Sequence, residues 1–357
     1  MIKVAIIGFP LSGKTTVFRA LTGSMKQEEG HALGKDTFHI ASVKIPDERL
    51  TELSKALGPK KVTPAEINFI DEHMISSKEQ RNFSLSHSKE ADALVCVIRD
   101  FENSSIPQRK GNLDARRDII DAQAELFVCD LEIVQKRIRK IETEIKKGKK
   151  ELSKELNLMK KLQLTLEADT PLRKLELSRE EQQLVGGFEF LTAKKELVLI
   201  NTDETKVNLP IPEEIKNLAL TKDFCLMKFS AKIEAELEEL EAADREEFLK
   251  SYKIETLARD EFIEAVYKLF EIVTFFTIKS GLLKAWTIKK GAGAKEAAGK
   301  IHSDIEKGFI KAEVMNFDDF KAVNFDFHQA KQKGILRLEG KNYEVCEGDI
   351  IDFRFSA

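Results

Sequence analysis

Gly8-Phe9-Pro10-Leu11-Ser12-Gly13-Lys14-Thr15 has the spacing G-x-x-x-x-G-K-[ST], the pattern of a loop that wraps a phosphate group. Each residue type has a physical task. Glycines let successive backbone N–H groups turn toward one anion with no Cβ in the way. The Lys14 ammonium can reach β- and γ-phosphates, where it would act catalytically, and the Thr15 hydroxyl can ligate Mg²⁺. Leu11, Ser12, Gly13 and Thr16 complete the expected cradle. Before the loop, the run from Ile2 to Ile7 is apolar and β-branched, as a strand should be. After it, a helix over roughly Thr15 to Leu21 would turn its positive end toward the same anion. Strand, loop and helix together imply a nucleotide-binding site.

Such a loop needs partners for metal, γ-phosphate and base. Asp71 ends the apolar run Ile67-Asn68-Phe69-Ile70, a setting for an acid that holds Mg²⁺ directly or through water. Asn201-Thr202-Asp203-Glu204 closes the apolar run Leu197 to Ile200, where guanine-binding P-loop proteins carry N-K-x-D. In that motif the carboxylate accepts two hydrogen bonds from guanine. Here Thr202 replaces the lysine, and Glu204, one methylene longer, stands at the acid position. It either disfavours guanine or lies in the turn and leaves base choice open. Ser230-Ala231-Lys232 has the form of a loop that finishes a base pocket. His73 and His87 follow Asp71, and a neutral imidazole there could position water or be merely structural. There is no G-x-S-x-G or H-E-x-x-H, and no Rossmann glycine pattern at a strand end. Cys96, Cys129, Cys225 and Cys346 lie far apart, which argues against zinc and a disulfide framework.

These residues must be positioned by a chain of 357 residues, enough for two or three domains. Apolar runs at His39–Ile45, Glu66–Asp71, Ala93–Ile98, Glu196–Asn201 and Phe224–Ser230 predict further strands, alternating with helices as in an α/β nucleotide-binding domain. From about Asn112 to Thr192 the alternation breaks. Leu131, Val134, Ile138, Ile141 and Ile145 recur at helical spacing, Gly148 interrupts, and Leu152, Leu156, Met159 and Leu162 resume. This reads as an inserted helical hairpin, followed by a helix that Ser178 and Glu181 could cap. After Phe229 the chain reads as helical through Phe270. Beyond it, short strands are expected at Thr274–Ile278, Ala285–Ile288, Ala312–Asn316, Ile335–Leu338, Lys341–Val345 and Ile350–Phe355, with a helix at Ala294–His302. That pattern suits a β-grasp module of about eighty residues. The division is therefore residues 1–111 and 193–274 for the P-loop domain, 112–192 for the hairpin and 275–357 for the last module.

Net charge is −3, but residues 131–161 carry eleven Lys/Arg against five Asp/Glu, and residues 276–313 carry eight against four. Such runs are either solvated faces or surfaces for an anionic partner. No run approaches the ~20 apolar residues of a membrane span, and no leader pattern opens the chain, so a cytoplasmic protein is expected.

With these elements in order, the chain resembles the YchF/Obg-like ATPase family of P-loop proteins along essentially its whole length. Further matches are Arg99 with Phe101-Glu102-Asn103, Ser230 to Leu237, Ala285-Trp286-Thr287-Ile288, the run from Ala297 to Val314, Leu336 to Lys341, and Glu347-Gly348-Asp349-Ile350. The resemblance implies an α/β P-loop domain with an inserted hairpin or coiled coil, and a C-terminal TGS domain. It also implies ATP preferred over GTP, Asn201 at the base edge, Mg²⁺ as cofactor, slow hydrolysis and a ribosome or other RNA-containing partner. Neither a membrane nor sequence-specific DNA contact is expected. Two departures bear on hydrolysis. The family's D-x-x-G reads Asp71-Glu72-His73-Met74, and the glycine-rich stretch behind it is Ser76 to Asn82 without glycine. Thr37 is the nearest candidate for the threonine that closes on Mg²⁺, and Ile75 could stand at the family's apolar switch position. A nucleotide-dependent binding module with little turnover, or a GTP-specific member, are the alternatives.

Overall fold

The computed structural model describes residues 2–23, 31–33, 36–73, 85, 88–252 and 257–356. Continuous apolar runs set the first sheet. Its strands, with the short β4 (Lys61–Thr63) excepted, are β1 (Ile2–Ile7), β2 (His31–Leu33), β3 (Asp36–Lys44), β5 (Glu66–His73), β6 (Ala93–Asp100), β7 (Lys195–Thr202) and β8 (Cys225–Phe229). They lie in the order β2-β3-β5-β1-β6-β7-β8. The pairs β1–β6, β6–β7 and β7–β8 are parallel, and β2–β3 is antiparallel. β6 is buried along all but its last residue, as a parallel strand covered on both faces must be.

Helices α1 (Lys14–Thr22), α2 (Glu48–Leu57) and the 32-residue α3 (Ala115–Lys146) follow in the chain. Ile119, Ala122 and Leu126 of α3 seal the sheet beside Leu94, Cys96, Val198 and Ile200. Farther along, Val134, Ile138 and Ile141 pack with Leu158, Met159 and Leu162 of α4 (Ser153–Glu167), forming the expected hairpin about Gly148. Arg137 clamps Glu155 across it through two bonds of 2.6 and 2.8 Å. Helix α5 (Arg179–Val185) begins with the Ser178/Glu181 capping box that the sequence predicts. The fully buried Asp130 fastens α3 to the approach to β7. It accepts from Leu191 N at 2.9 Å, Thr192 N at 2.8 Å and Thr192 Oγ1 at 2.7 Å. Burial pushes its carboxyl up, against the pull of these three bonds.

α6 (Glu213–Lys222), α7 (Ala231–Glu239), α8 (Ala242–Tyr252) and α9 (Ala258–Leu269) lead to the second sheet. Its other strands are β9 (Ile272–Lys279), β10 (Leu282–Lys289), β11 (Phe309–Asn316), β12 (Arg337–Glu339) and β13 (Asp349–Phe355). The order is β12-β11-β13-β9-β10-β4, mixed in direction. α10 (Ala294–Ile301) lays Ala294, Ala297 and Ala298 on Phe275, Ala312, Val314 and Phe353; α11 (Ser303–Lys307), α12 (Phe317–Lys321) and α13 (Phe327–Gln332) complete the element list.

The α/β class holds, with helices and two mixed sheets. The chain divides into two compact units: Lys3–Ala41 with Asn68–Phe262, and Met1–Ile2 with Ser42–Ile67 and Ile263–Ala357. The boundary expected at residue 275 thus falls inside β9, and residues 42–67 group with the C-terminal segment. Physical ties explain that grouping. β4 pairs in parallel with β10, and Arg49 of α2 bonds Glu347 while its guanidinium lies 5.5 Å from the Phe276 ring centre. Lys341–Val345, expected as a strand, instead begins within a turn closed by Tyr343 N to Gly340 O, and Glu344 then forms an isolated antiparallel bridge with Gly293.

Asp130→Ala should lower stability by about 2–4 kcal/mol in urea unfolding, because buried N–H donors lose their acceptor. A loss below about 0.5 kcal/mol would mean that water replaces the carboxylate.

Candidate nucleotide-binding site

The loop leaves the buried strand β1 at Gly8, whose φ is +146°, and closes at Gly13, with φ +90°. A Cβ on Gly8 would strike the Val97 carbonyl oxygen, and one on Gly13 would strike Asn201 Nδ2. Glycine is therefore demanded twice, by conformation and by space. Leu11, at φ +65°, takes a left-handed conformation without being glycine, the kind of strain that sits at ligand clamps. Lys14 Nζ donates to Gly8 O at 2.8 Å and Phe9 O at 3.0 Å, so its ammonium arches over the loop. Gly13 stands at the N-cap of α1 and gives it no side-chain cap, and the positive end of a helix favours a bound anion.

Thr15 Oγ1 donates to Asp71 Oδ2 at 3.1 Å, and Asp71 is fully buried near the end of β5. A hydroxyl and a carboxylate in contact beside a phosphate loop are hard oxygen donors of the kind Mg²⁺ takes. The residues present thus fit the metal.

The register of β6 against β7 sets Arg99 opposite Asn201. Asn201 is buried, and its amide faces two ways. Nδ2 donates to Ser12 O at 3.1 Å, and Oδ1 accepts from Ala231 N at 3.2 Å. The family resemblance implies a place for Asn201 at the base edge, and in the fold its amide joins the phosphate loop to the start of α7. Ser230 caps that helix, accepting from Ile233 N at 3.4 Å. Glu204 Oε1 holds Lys232 Nζ at 2.9 Å, a bond that draws the Glu204 carboxyl below the usual range.

These pieces enclose a cavity of about 1110 Å³. Gly13, Lys14, Thr15, Thr16 and Leu11 line one end, and Asn201, Glu204 and Ala231 another. Ser12 is buried, with its carbonyl on Asn201. Part of the wall was not anticipated as site: Phe101, Glu102, Asn103 and Ile106. Arg99 folds that loop, donating to Phe101 O at 3.1 Å, Pro107 O at 3.1 Å and Ile106 O at 3.4 Å. The signal available was position, since the loop leaves β6 at the carboxyl end of a central parallel strand. Thr37 sits in β3 opposite Ala32, with its side chain outside the described residues. The His73 side chain and all of Ile75 and His87 also lie outside them.

A family model named YchF-GTPase_C, described as a protein of unknown function (DUF933), matches residues 272–356. "Ribosome-binding ATPase YchF" of Bacillus subtilis (strain 168) is 35% identical over 364 residues, spanning 99% of each chain. This chain belongs to the YchF family. The relative of the same description from Escherichia coli O157:H7 is 33% identical over 361 residues, again across 99% of each chain. Among solved structures, the YchF GTPase of Schizosaccharomyces pombe matches with a TM-score of 0.82 at 26% identity, covering 99% of this chain and 97% of that one. One YchF description says ATPase and another GTPase, so base choice in this member has to be argued from its own pocket.

Asn201→Ala removes both bonds of the buried amide and should weaken nucleotide binding about 10- to 100-fold, read by displacement of a fluorescent nucleotide. Unchanged affinity would show that the loops hold their register without it.

Proposed function

We propose that this YchF protein binds ATP with Mg²⁺, hydrolyses it slowly and acts on the ribosome as a nucleotide-controlled switch. The observation that carries the reading is the joined set of Lys14, Thr15 and Asp71, backed by the Asn201 bridge. Lys14 would exchange its loop carbonyls for phosphate oxygens, while Thr15 and Asp71 would hold the metal. Mg²⁺, when bound, supplies positive charge at the β- and γ-phosphate oxygens. The loop amides orient the chain of phosphates, and glycine at positions 8 and 13 lets them approach.

ATP is favoured over GTP because the Glu204 carboxylate, at the acid position of N-K-x-D, is already paired with Lys232. A guanine would have to break that pair to satisfy its N1–H and N2–H₂ donors. The relatives described as ribosome-binding ATPases support the same base and partner. The C-terminal unit would serve as the TGS module, and cytoplasm is the matching compartment.

A second reading, binding with little turnover, has its own support. β5 runs on through His73, and no glycine occurs between Gly58 and Gly111, so the switch lacks the residue type that turns a backbone N–H to the γ-phosphate. His73 or His87 would then be the residue left to position water, with Thr37 closing on the metal.

Single-turnover phosphate release from ATP separates the readings. A slow rate that vanishes in Lys14→Ala supports the ATPase; no release from wild type supports the binding module. Lys232→Ala should narrow the ATP-to-GTP affinity ratio about 3- to 10-fold by releasing Glu204 for guanine. An unchanged ratio would remove Glu204 from base selection.

A further inference from the structure

On the distal half of α3, Val134, Ile138 and Ile141 mark the buried side. At about 100° per residue, the opposite arc between positions 136 and 147 holds six residues: Lys136, Arg139, Lys140, Thr143, Lys146 and Lys147. Five are basic and all six are exposed. Several other hairpin cations are paired: Arg137, Lys149, Lys154, Lys160 and Lys161 each have a carboxylate within ion-pair distance. Among the described residues, the five on this arc have none within ion-pair distance. Glu132, one turn earlier on the same side, bounds the stripe at its proximal end.

We propose that this stripe is a docking surface for the phosphate backbone of structured RNA. The inference deepens the ribosome reading above and rests on it. Charge complementarity carries it. The stripe is about 16 Å long, and a nucleic-acid duplex presents a phosphate every ~1.7 Å of axis. The arc contains no apolar side chain, so it has nothing to insert into a lipid layer, which sets it apart from an interfacial helix. It holds no aromatic and no side-chain amide, so it would grip backbone without reading bases. Clamped by Arg137–Glu155 and the α3–α4 core, the stripe is presented on a rigid support.

The test is binding to purified ribosomes by co-sedimentation, and to an RNA duplex of about 20 base pairs, each across a salt series. The variant carries Lys136→Gln, Arg139→Gln, Lys140→Gln and Lys147→Gln. It should lose at least about 10-fold in RNA affinity near 0.1 M salt, and its log–log salt slope should be shallower by about 3. A charge-keeping variant, with the three lysines as Arg and Arg139→Lys, should bind like wild type, and ATP affinity should be unchanged in both. Wild type that ignores ribosomes yet binds duplex with this loss in the Gln variant would sink the ribosome reading and leave the stripe standing. Wild type that binds ribosomes and duplex no better than the Gln variant, with equal slopes, overturns the stripe. So does binding to anionic phospholipid vesicles with no binding to RNA.

Discussion

The Asn201 side chain is buried, donating to the Ser12 carbonyl and accepting from the Ala231 amide. Through those two bonds the phosphate loop, the end of β7 and the start of α7 share one geometry. The same amide stands where a Cβ on residue 13 would go, so the glycine that closes the loop also makes room for the bridge. A buried amide left half paired costs more than the bond it lost, which makes the arrangement stiff in both directions. Everything the site can do with a nucleotide follows from that register: where Lys14 reaches, where Thr15 meets Asp71, and how Glu204 faces Lys232.

Around this bridge the fold spends buried polar groups sparingly and in pairs. Asp130 pins α3 to the approach of β7, and Arg173 meets Glu196 at 3.0 Å, with Gln123 on the other carboxylate oxygen at 2.7 Å. Arg99 plays the corresponding part on the cavity wall, folding a loop by three carbonyl contacts. These contacts all lie at ends of β6 and β7, the strands that carry the site. Continuous apolar side chains fix those strands in the sheet, and the polar groups fix what emerges from them.

Much of this was legible in the chain. The phosphate loop, the apolar runs of β6 and β7, the hairpin stripe and the Ser178/Glu181 cap each depend on residues close in sequence, where spacing and residue type suffice. What escaped depends on distant partners. β4 is a three-residue edge strand, visible only once β10 is present to pair with it. The double role of Asn201 needs Ser12 and Ala231, 189 and 30 positions away. Lys341–Val345 reads as a short strand between turns, yet its first residues lie in a turn closed by Tyr343 N on Gly340 O. For α12 and α13 the signal existed and was missed: Asn316 and Asp326 are ordinary N-caps.

The central claim is that this main-chain cradle, held open by one amide, grips a purine nucleotide and prefers adenine. Calorimetric titration with ATP, ADP, GTP and GDP, in Mg²⁺ and again in EDTA, tests it most directly. The account predicts one site per chain, ATP tighter than GTP by about 10-fold or more, and a weaker triphosphate without metal. Heat from none of the four, or tighter binding of GTP than ATP, would contradict it.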